Sequence, residues 1–448
     1  MNHVLPSGPQ AHPFLQLLQW IGRPVGIMED CARRYGDLFT LRLGPIGPVV
    51  FCSHPQMLQE IFTLEAHSFY AGAGNQLLRP LLGDTSLILL DGDRHQRQRQ
   101  LLVPPFHGER TRTYSNLIVE ITQQVSAGWQ LGQPFTVRSA LQNISLQVIL
   151  QAVFGITDPQ RYHTLSQLLP TLIDRVSSPL SSSILFLPSL QQDWGAWSPW
   201  GQFIRQRSQL NQLLYQEIAE RRADLDPERS DILTLMLMAR DEEGQPMTDV
   251  ELRDELVTLL MAGHETTASA MTWALYWLAR SPAIATRLLA ELESCDDLND
   301  AKTLSRLPYL SAVCSETLRI YPVAPIAFPR ILLEPRTLMG QTFERGTYLA
   351  PCIYLTHHRS DLYPNPDVFD PDRFLSRTYS PYEFVGFGGG NRRCLGMSLA
   401  LFEMKRVLAT LLTQFRFELL DTRPVRPVRR GVTLAPPAQF ALRPVALR

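Results

Sequence analysis

The sequence predicts a mainly α protein with a minor β part. Three observations carry this reading. Apolar residues recur at helical spacing from about residue 54 to 320, one helical stretch from Asp249 to Arg280 outlasts all others, and β-formers gather only around residues 37–52 and 330–380.

Taken in order, Pro13 to Ile21 sets Phe14, Leu15, Leu17, Leu18, Trp20 and Ile21 in an apolar stripe broken by Gln16 and Gln19. A helix packed on the protein's own core is expected, with peripheral membrane contact as the alternative. Asp37 to Cys52 alternates around a Gly/Pro turn and reads as a hairpin. Tyr70 to Gly92 is Gly-rich and loop-like. Ser177 to Trp200 carries Pro179, Pro188, Pro199 and the apolar run Ile184 to Leu187, the composition of a lid or of a connector docked on the core.

Thr248 with Glu251 three residues on forms a capping box for the long helix, and Pro282 ends it. At 1.5 Å per residue such a helix is roughly 48 Å long, enough to cross the protein. Residues 330–380 are dense in proline and short β-like runs, Thr347 to Leu355 among them. A last helix is expected from about Leu395 to Thr413.

With 448 residues and 45% apolar content a large core is available, and no Gly/Ser linker, repeat or low-complexity tract divides the chain. One domain over 1–448 is expected. A net charge of −1 excludes nucleic acid as the main partner. The six cysteines show no CxxC pair, and neither a secretory leader pattern nor a run of about 18 apolar residues occurs. A soluble, cytoplasmic, monomeric protein without a transmembrane segment is the expectation.

The most informative residues are Phe387-Gly388-Gly389-Gly390-Asn391-Arg392-Arg393-Cys394-Leu395-Gly396. A lone cysteine after a glycine-rich loop, opening a helix and flanked by arginines, suits a thiolate, because helix N–H groups and positive charge favour the ionised sulfur. Such a thiolate is a candidate axial ligand for haem iron. The pattern Phe387-x-x-Gly390-x-x-x-Cys394-x-Gly396 resembles the haem-binding signature of the cytochrome P450 family.

A second constellation sits midway along the long helix, at Ala262-Gly263-His264-Glu265-Thr266-Thr267. Glycine, an acid and β-branched threonines are poor helix formers, so their presence there asks for a reason. Ala262 and Thr266 share a face, and the Thr266 hydroxyl can bond back to the carbonyl of Ala262. The segment resembles the family's oxygen-activation motif at every position. By that resemblance Ala262 leaves room for the cofactor, Thr266 takes part in oxygen activation and Glu265 helps relay protons.

Two competing motifs fail. His264-Glu265 lacks the second histidine of a zinc site, since residue 268 is Ala, and Gly386-Phe387-Gly388 has Asn391 where a dinucleotide fingerprint needs its third glycine.

Glu316 and Arg319 lie three apart on a helix ending at Tyr321-Pro322. In the family this spacing marks a buried structural pair completed by an arginine, here Arg373 of Pro371-Asp372-Arg373-Phe374. The two propionates of haem need positive charge to be buried. By resemblance His95, Arg99, Arg330 and Arg392 occupy the positions that supply it. Arg94, Arg97, Arg392, Arg393, Lys405 and Arg406 form an expected basic patch around the cysteine face, suited to an acidic electron donor.

The resemblance covers essentially the whole chain and implies a cytochrome P450 fold with the long central helix over haem b. It implies a haem-thiolate monooxygenase acting on a small apolar substrate, a long-chain fatty acid first, a terpenoid or alkane second. Only 54 residues follow Cys394, from 394 to 448, too few for a fused reductase. Electrons would come from a ferredoxin or flavodoxin with its NAD(P)H reductase. A haem-thiolate peroxygenase or isomerase, and a non-catalytic haem or lipid binder, stay open at this point. The expected pocket walls are Leu77–Leu90, Ile184–Leu187, Met261–Thr267, Val323–Phe328 and Val432–Leu434.

Overall fold

The structure, a computed structural model, describes residues 5–106, 112–156, 158–177, 191–195 and 197–447. The expected pocket wall Ile184–Leu187 and most of the Ser177–Trp200 stretch lie outside the described residues.

The long helix spans Asp249–Arg280, as its capping box predicts. Thr248 Oγ1 accepts from the Glu251 N–H at 3.2 Å, and Glu251 Oε2 accepts from the Thr248 N–H at 2.8 Å. Every residue from Thr267 to Leu278 is buried, which explains a helix apolar nearly all round. Helices Val137–Phe154, Pro199–Ala223, Pro308–Ile320 and Met397–Gln414 pack around it. At Gly263 the approach is very close: a Cβ there would lie 2.4 Å from Ile149 Cδ1. Glycine in mid-helix is thus explained by packing against Val137–Phe154.

The principal sheet runs in the order Leu38–Arg42, Pro48–Cys52, Tyr348–Pro351, Arg330–Leu332, Phe69–Tyr70. Only the Pro48–Cys52/Tyr348–Pro351 pair is parallel. Strand alternation divides its apolar residues between two clusters. Phe39, Leu41, Val49 and Phe51 pack with Met28 on one side, while Val50, Cys52, Leu332 and Leu349 pack with Met57 and Leu58 on the other. A three-stranded sheet joins Phe135–Thr136, Ala441–Leu447 and Phe415–Leu419. Two small hairpins are Arg336–Leu338 with Gln341–Phe343 and Val428–Arg430 with Thr433–Ala435.

Several elements differ from the sequence reading. Thr347–Leu355 is not one strand: Tyr348–Pro351 is followed by the short helix Ile353–His357, whose Thr356 N–H bonds to the Cys352 carbonyl. Tyr70–Gly92 contains helical turns at Ala73–Leu78 and Arg79–Leu82. Pro13–Gly22 is a helix whose inward face includes Gln16. That side chain donates to the carbonyls of Pro9 (3.1 Å) and Ala11 (2.7 Å) and accepts from the Arg42 N–H (2.9 Å). A fully satisfied amide is inexpensive to bury, and Phe14, Leu15 and Leu18 remain 54%, 48% and 48% exposed. Among the described residues no helix is long and apolar enough to cross a membrane.

Candidate active site

The cysteine helix begins at Met397, later than predicted, so Cys394 sits in the turn before it. Gly390 fixes that turn. Its φ of 64° belongs to the left-handed region, and a Cβ there would meet the Phe62 carbonyl oxygen at 2.4 Å. The Cys394 N–H donates to the Phe387 carbonyl at 3.0 Å, closing the loop between the first and eighth residues of the motif. Burial pushes the Cys394 thiol up, while the N–H groups of Gly396 and Met397 and the charges of Arg99 and Arg393 pull it down. Cys394 keeps accessible surface even so. Each of the six cysteines is free, as the spacing suggested.

Beside this loop the structure brings together all four predicted basic residues. His95 lies on the helix Gly92–Leu102 and Arg330 opens a strand; both are buried. Burial and the charges of Arg392, Arg99 and Arg330 push the His95 imidazole down to about 3. Arg330 is pushed down to about 9 by burial and by Arg392, and Arg392 falls to about 10, chiefly from burial. Arg392 donates to the carbonyl of Leu90 and to Asp91 Oδ1, both at 2.8 Å. Arg99 Nη2 donates to the Arg393 carbonyl at 2.9 Å. Arg330 Nη1 donates to the Phe328 carbonyl at 2.6 Å, and its guanidinium lies 4.8 Å from the Phe69 ring centroid. The Nε atoms of Arg330 and Arg392 are buried without a hydrogen-bond partner among the described residues. Mutually repelling, partly unpartnered buried cations form a site for an anion.

Between the buried turns of the long helix Ala262 is exposed, and Met261, Gly263 and Thr266 beside it are half-buried. Thr266 Oγ1 donates to the Ala262 carbonyl at 2.5 Å, the back-bond that the sequence predicted. Glu265 is buried, and its Oε1 accepts from Arg138 Nη2 and Arg430 Nε, each at 2.6 Å. Arg430 also pairs with Asp174 at 2.5 Å. His264 is buried beside them and pushed down to about 4, principally by burial. No group of three or more His, Cys, Asp or Glu among the described residues is arranged to hold a metal ion.

The cytochrome P450 family profile matches residues 6–442. The chain belongs to the cytochrome P450 family. Cytochrome P450 135B1 of Mycobacterium tuberculosis strain H37Rv is 38% identical over 433 residues, 96% of this chain and 89% of that one. Cytochrome P450 138 of Mycobacterium bovis is 33% identical over 433 residues, covering 96% and 94%. Among solved structures, the cyanobacterial CYP120A1 with retinoic acid bound superposes at a TM-score of 0.86 with 27% identity, over 100% of both chains. The fold is therefore the P450 fold, the enzyme class is monooxygenase and the cofactor is haem b, held in this family by a cysteine thiolate.

The residues present fit that group. Cys394 offers an accessible sulfur under helix N–H groups, and the cluster offers the charges of Arg99, Arg330 and Arg392 and a ring N–H of His95 to the two carboxylates of a haem edge. The P450 scaffold pair is buried as expected. Arg319 donates from Nε to Glu316 Oε2 (2.6 Å) and from Nη2 to Oε1 (2.9 Å), and Arg373 Nε donates to Oε1 at 3.2 Å.

The predicted basic patch does not form. Arg97 is spent on Asp241 (2.6 Å) and Glu251 (2.8 Å), tying its helix to the entry of the long helix. Arg392 is turned inward. Lys405 donates to the Ser305 carbonyl and Ser311 Oγ, both at 2.7 Å, and Arg406 is buried against Ser115 and the carbonyls of Leu298 and Asn299. Of the six, Arg94 and Arg393 are exposed.

Sequence reasoning missed Asp91 and His357. Asp91 precedes a helix and looks like its cap, yet its side chain makes no capping bond there. It accepts instead from the N–H groups of Ala71, Gly72 and Ala73 (2.8, 2.8 and 2.9 Å) and from Arg392. His357 joins the scaffold pair to the cysteine loop. The expected pocket walls hold three charged side chains: Arg79 and Asp84, which pair with each other, and Glu265, which pairs with its two arginines.

Proposed function

We propose that this P450 hydroxylates an apolar, lipid-like substrate, with a long-chain fatty acid favoured and a terpenoid or alkane next. One oxygen atom of O₂ would enter the substrate and the other would leave as water. Haem b, when bound, supplies the oxygen chemistry. Cys394 would hold it through its thiolate, His95, Arg99, Arg330 and Arg392 would hold its propionates, and Phe387, Gly390 and Gly396 shape the cysteine loop. The carrying observation is the convergence of four basic side chains beside an accessible cysteine sulfur.

Ala262 keeps the helix face open. Because the Thr266 hydroxyl proton is committed to the Ala262 carbonyl, its oxygen is left as an acceptor that can hold a water or a protonated oxygen in place. Glu265 serves proton traffic, exchanging an arginine contact for a proton carrier. A relative solved with retinoic acid, a long apolar chain with one carboxylate, supports a lipid-like acid as substrate. Electrons come from a ferredoxin or flavodoxin with its NAD(P)H reductase, in the cytoplasm, to a monomer with a single domain.

The test is the absorption spectrum of the reduced protein under carbon monoxide, with Cys394→His alongside. A long-wavelength Soret band lost in the variant supports thiolate ligation by Cys394; a band indifferent to the substitution overturns it. Fatty acids that neither shift the ferric spin state nor yield hydroxylated product would remove the substrate proposal while leaving the enzyme class intact.

A further inference from the structure

Seven residues before Ala262 the long helix carries Glu255, a fully buried acid with no part in the chemistry above. Its neighbour Asp254 has a cation, Arg253 at 2.8 Å, and accepts from the N–H and hydroxyl of Thr85 at 2.8 and 2.7 Å. Glu255 differs. Both hydrogen bonds recorded for it come from uncharged amides and converge on one oxygen: the Leu87 N–H at 2.6 Å and Gln98 Nε2 at 3.2 Å, both to Oε1. The other half of that same Gln98 amide, Oε1, is buried without a donor among the described residues.

An orphaned carbonyl oxygen beside a carboxyl group asks for a proton. A buried unsatisfied acceptor is costly, and an unpaired buried carboxylate costs more. One proton on Glu255 removes both penalties. Rotating the amide does not, since it would set Gln98 Oε1 against Glu255 Oε1. We infer that Glu255 is held as a neutral carboxylic acid whose second oxygen donates to Gln98 Oε1, closing an acid–amide pair that fixes helix Gly92–Leu102 against the long helix.

The charges around it agree. Burial pushes the Glu255 carboxyl up to about 8, and Asp254 and Glu251 on its own helix push the same way. The helix opposite contributes the uncharged Gln98 and the loop the Leu87 N–H, which pull down by less. The pair has leverage on the cofactor site. Gln98 shares its helix with His95 and Arg99, and the Leu87 carbonyl accepts from Arg392 Nη1 at 3.3 Å. Glu255 is thus a positioning residue for the basic cluster.

The experiment is infrared spectroscopy of the ferric holoenzyme in D₂O at pH 6, wild type against Glu255→Gln. The expected difference is loss of a protonated-carboxyl C=O band, with the band of the other raised acid, Glu403, left as an internal reference. In wild type the Glu255 band fades as pH passes about 8. Loss of a carboxylate band instead would overturn the inference. Should Glu255→Gln fail to fold, Gln98→Leu gives a second reading: removing the acceptor must shift the acid band to higher frequency, and an unmoved band also overturns the pairing. These readouts do not depend on which substrate the enzyme takes.

Discussion

The Val385 N–H donates to His357 Nε2 at 2.9 Å, so the imidazole that backs the cysteine loop must be neutral. Its other nitrogen, Nδ1, sits 3.2 Å from the Arg319 carbonyl and carries the proton. His357 therefore links the Glu316–Arg319 helix to the residue two before Phe387, and Arg319 Nη1 returns the link by donating to the His357 carbonyl at 2.8 Å. Burial first, then the charge of Arg319, pushes this imidazole well below its ordinary value. A base with a depressed folded-state pKa takes up its proton only on unfolding, so stability falls as pH drops below about 6.5. His264 and His358, each pushed down to about 4 by burial, add to the same slope. Urea denaturation from pH 7.5 to 4.5 should show this loss, and His357→Gln should remove one proton's share. An unchanged slope in that variant would assign the acid sensitivity elsewhere.

The Glu316–Arg319–Arg373 cluster predicts a severe cost for a subtle change. Glu316→Gln keeps the shape but leaves two guanidinium groups buried with a neutral partner. Breaking a buried pair in this way costs about 3–5 kcal/mol. Equilibrium denaturation should register a loss of that order, with haem retention falling in parallel. A loss below about 1 kcal/mol would mean that the cluster is not the tie between the helix and the cysteine loop.

What the sequence revealed and what it hid follow from range. The capping box at Thr248, the Thr266 back-bond and the glycine loop before Cys394 are local, set by residues within a few positions of each other. They were legible, as was the family pattern they spell. Lys405 and Arg406 look like any solvated helix charges. Their burial depends on carbonyls at residues 298–305, about a hundred positions away, which no local pattern encodes. Asp91 was hidden for the same reason: it is committed to the backbone at 71–73 and to Arg392. Gln16 was hidden because burial of an amide depends on partners from the Pro9–Ala11 turn and the hairpin.

Two glycines of the cysteine loop separate strain from clash. Gly388 has φ of 70°, but the nearest atom to an added Cβ would be the Arg392 carbonyl oxygen at 3.9 Å. Gly388→Ala should therefore cost only the left-handed penalty of about 1–2 kcal/mol. Gly390→Ala adds a collision with the Phe62 main chain. It should lose haem under conditions where Gly388→Ala retains it, as read from the Soret-to-protein absorbance ratio. Equal retention would show that the Phe62 segment yields without cost.

At Gly263 the obstacle is a side-chain tip, so the damage should be reversible. Gly263→Ala drives a methyl toward Ile149 Cδ1, and overpacking of this kind costs about 1–3 kcal/mol. Ile149→Val removes that very methyl. The double variant should recover most of the stability lost by Gly263→Ala, giving a favourable coupling in a double-mutant cycle. Simple additivity would place the strain in the backbone crossing instead.

Thr266 gives the prediction nearest the chemistry. Thr266→Ala deletes the hydroxyl whose proton goes to the Ala262 carbonyl and whose oxygen is left to accept. Thr266→Ser retains both functions and loses only a methyl. On the proposed role, Thr266→Ala should consume NAD(P)H and O₂ with product per electron pair falling several-fold, the remainder appearing as hydrogen peroxide or water. Thr266→Ser should stay near wild type. Since the substitution leaves the Cys394 loop and the basic cluster untouched, the carbon monoxide spectrum should not change. Full coupling in Thr266→Ala would strip this residue of its part in proton delivery. Uncoupling shared equally by Thr266→Ser would point to packing at the Cγ2 methyl rather than to the hydroxyl.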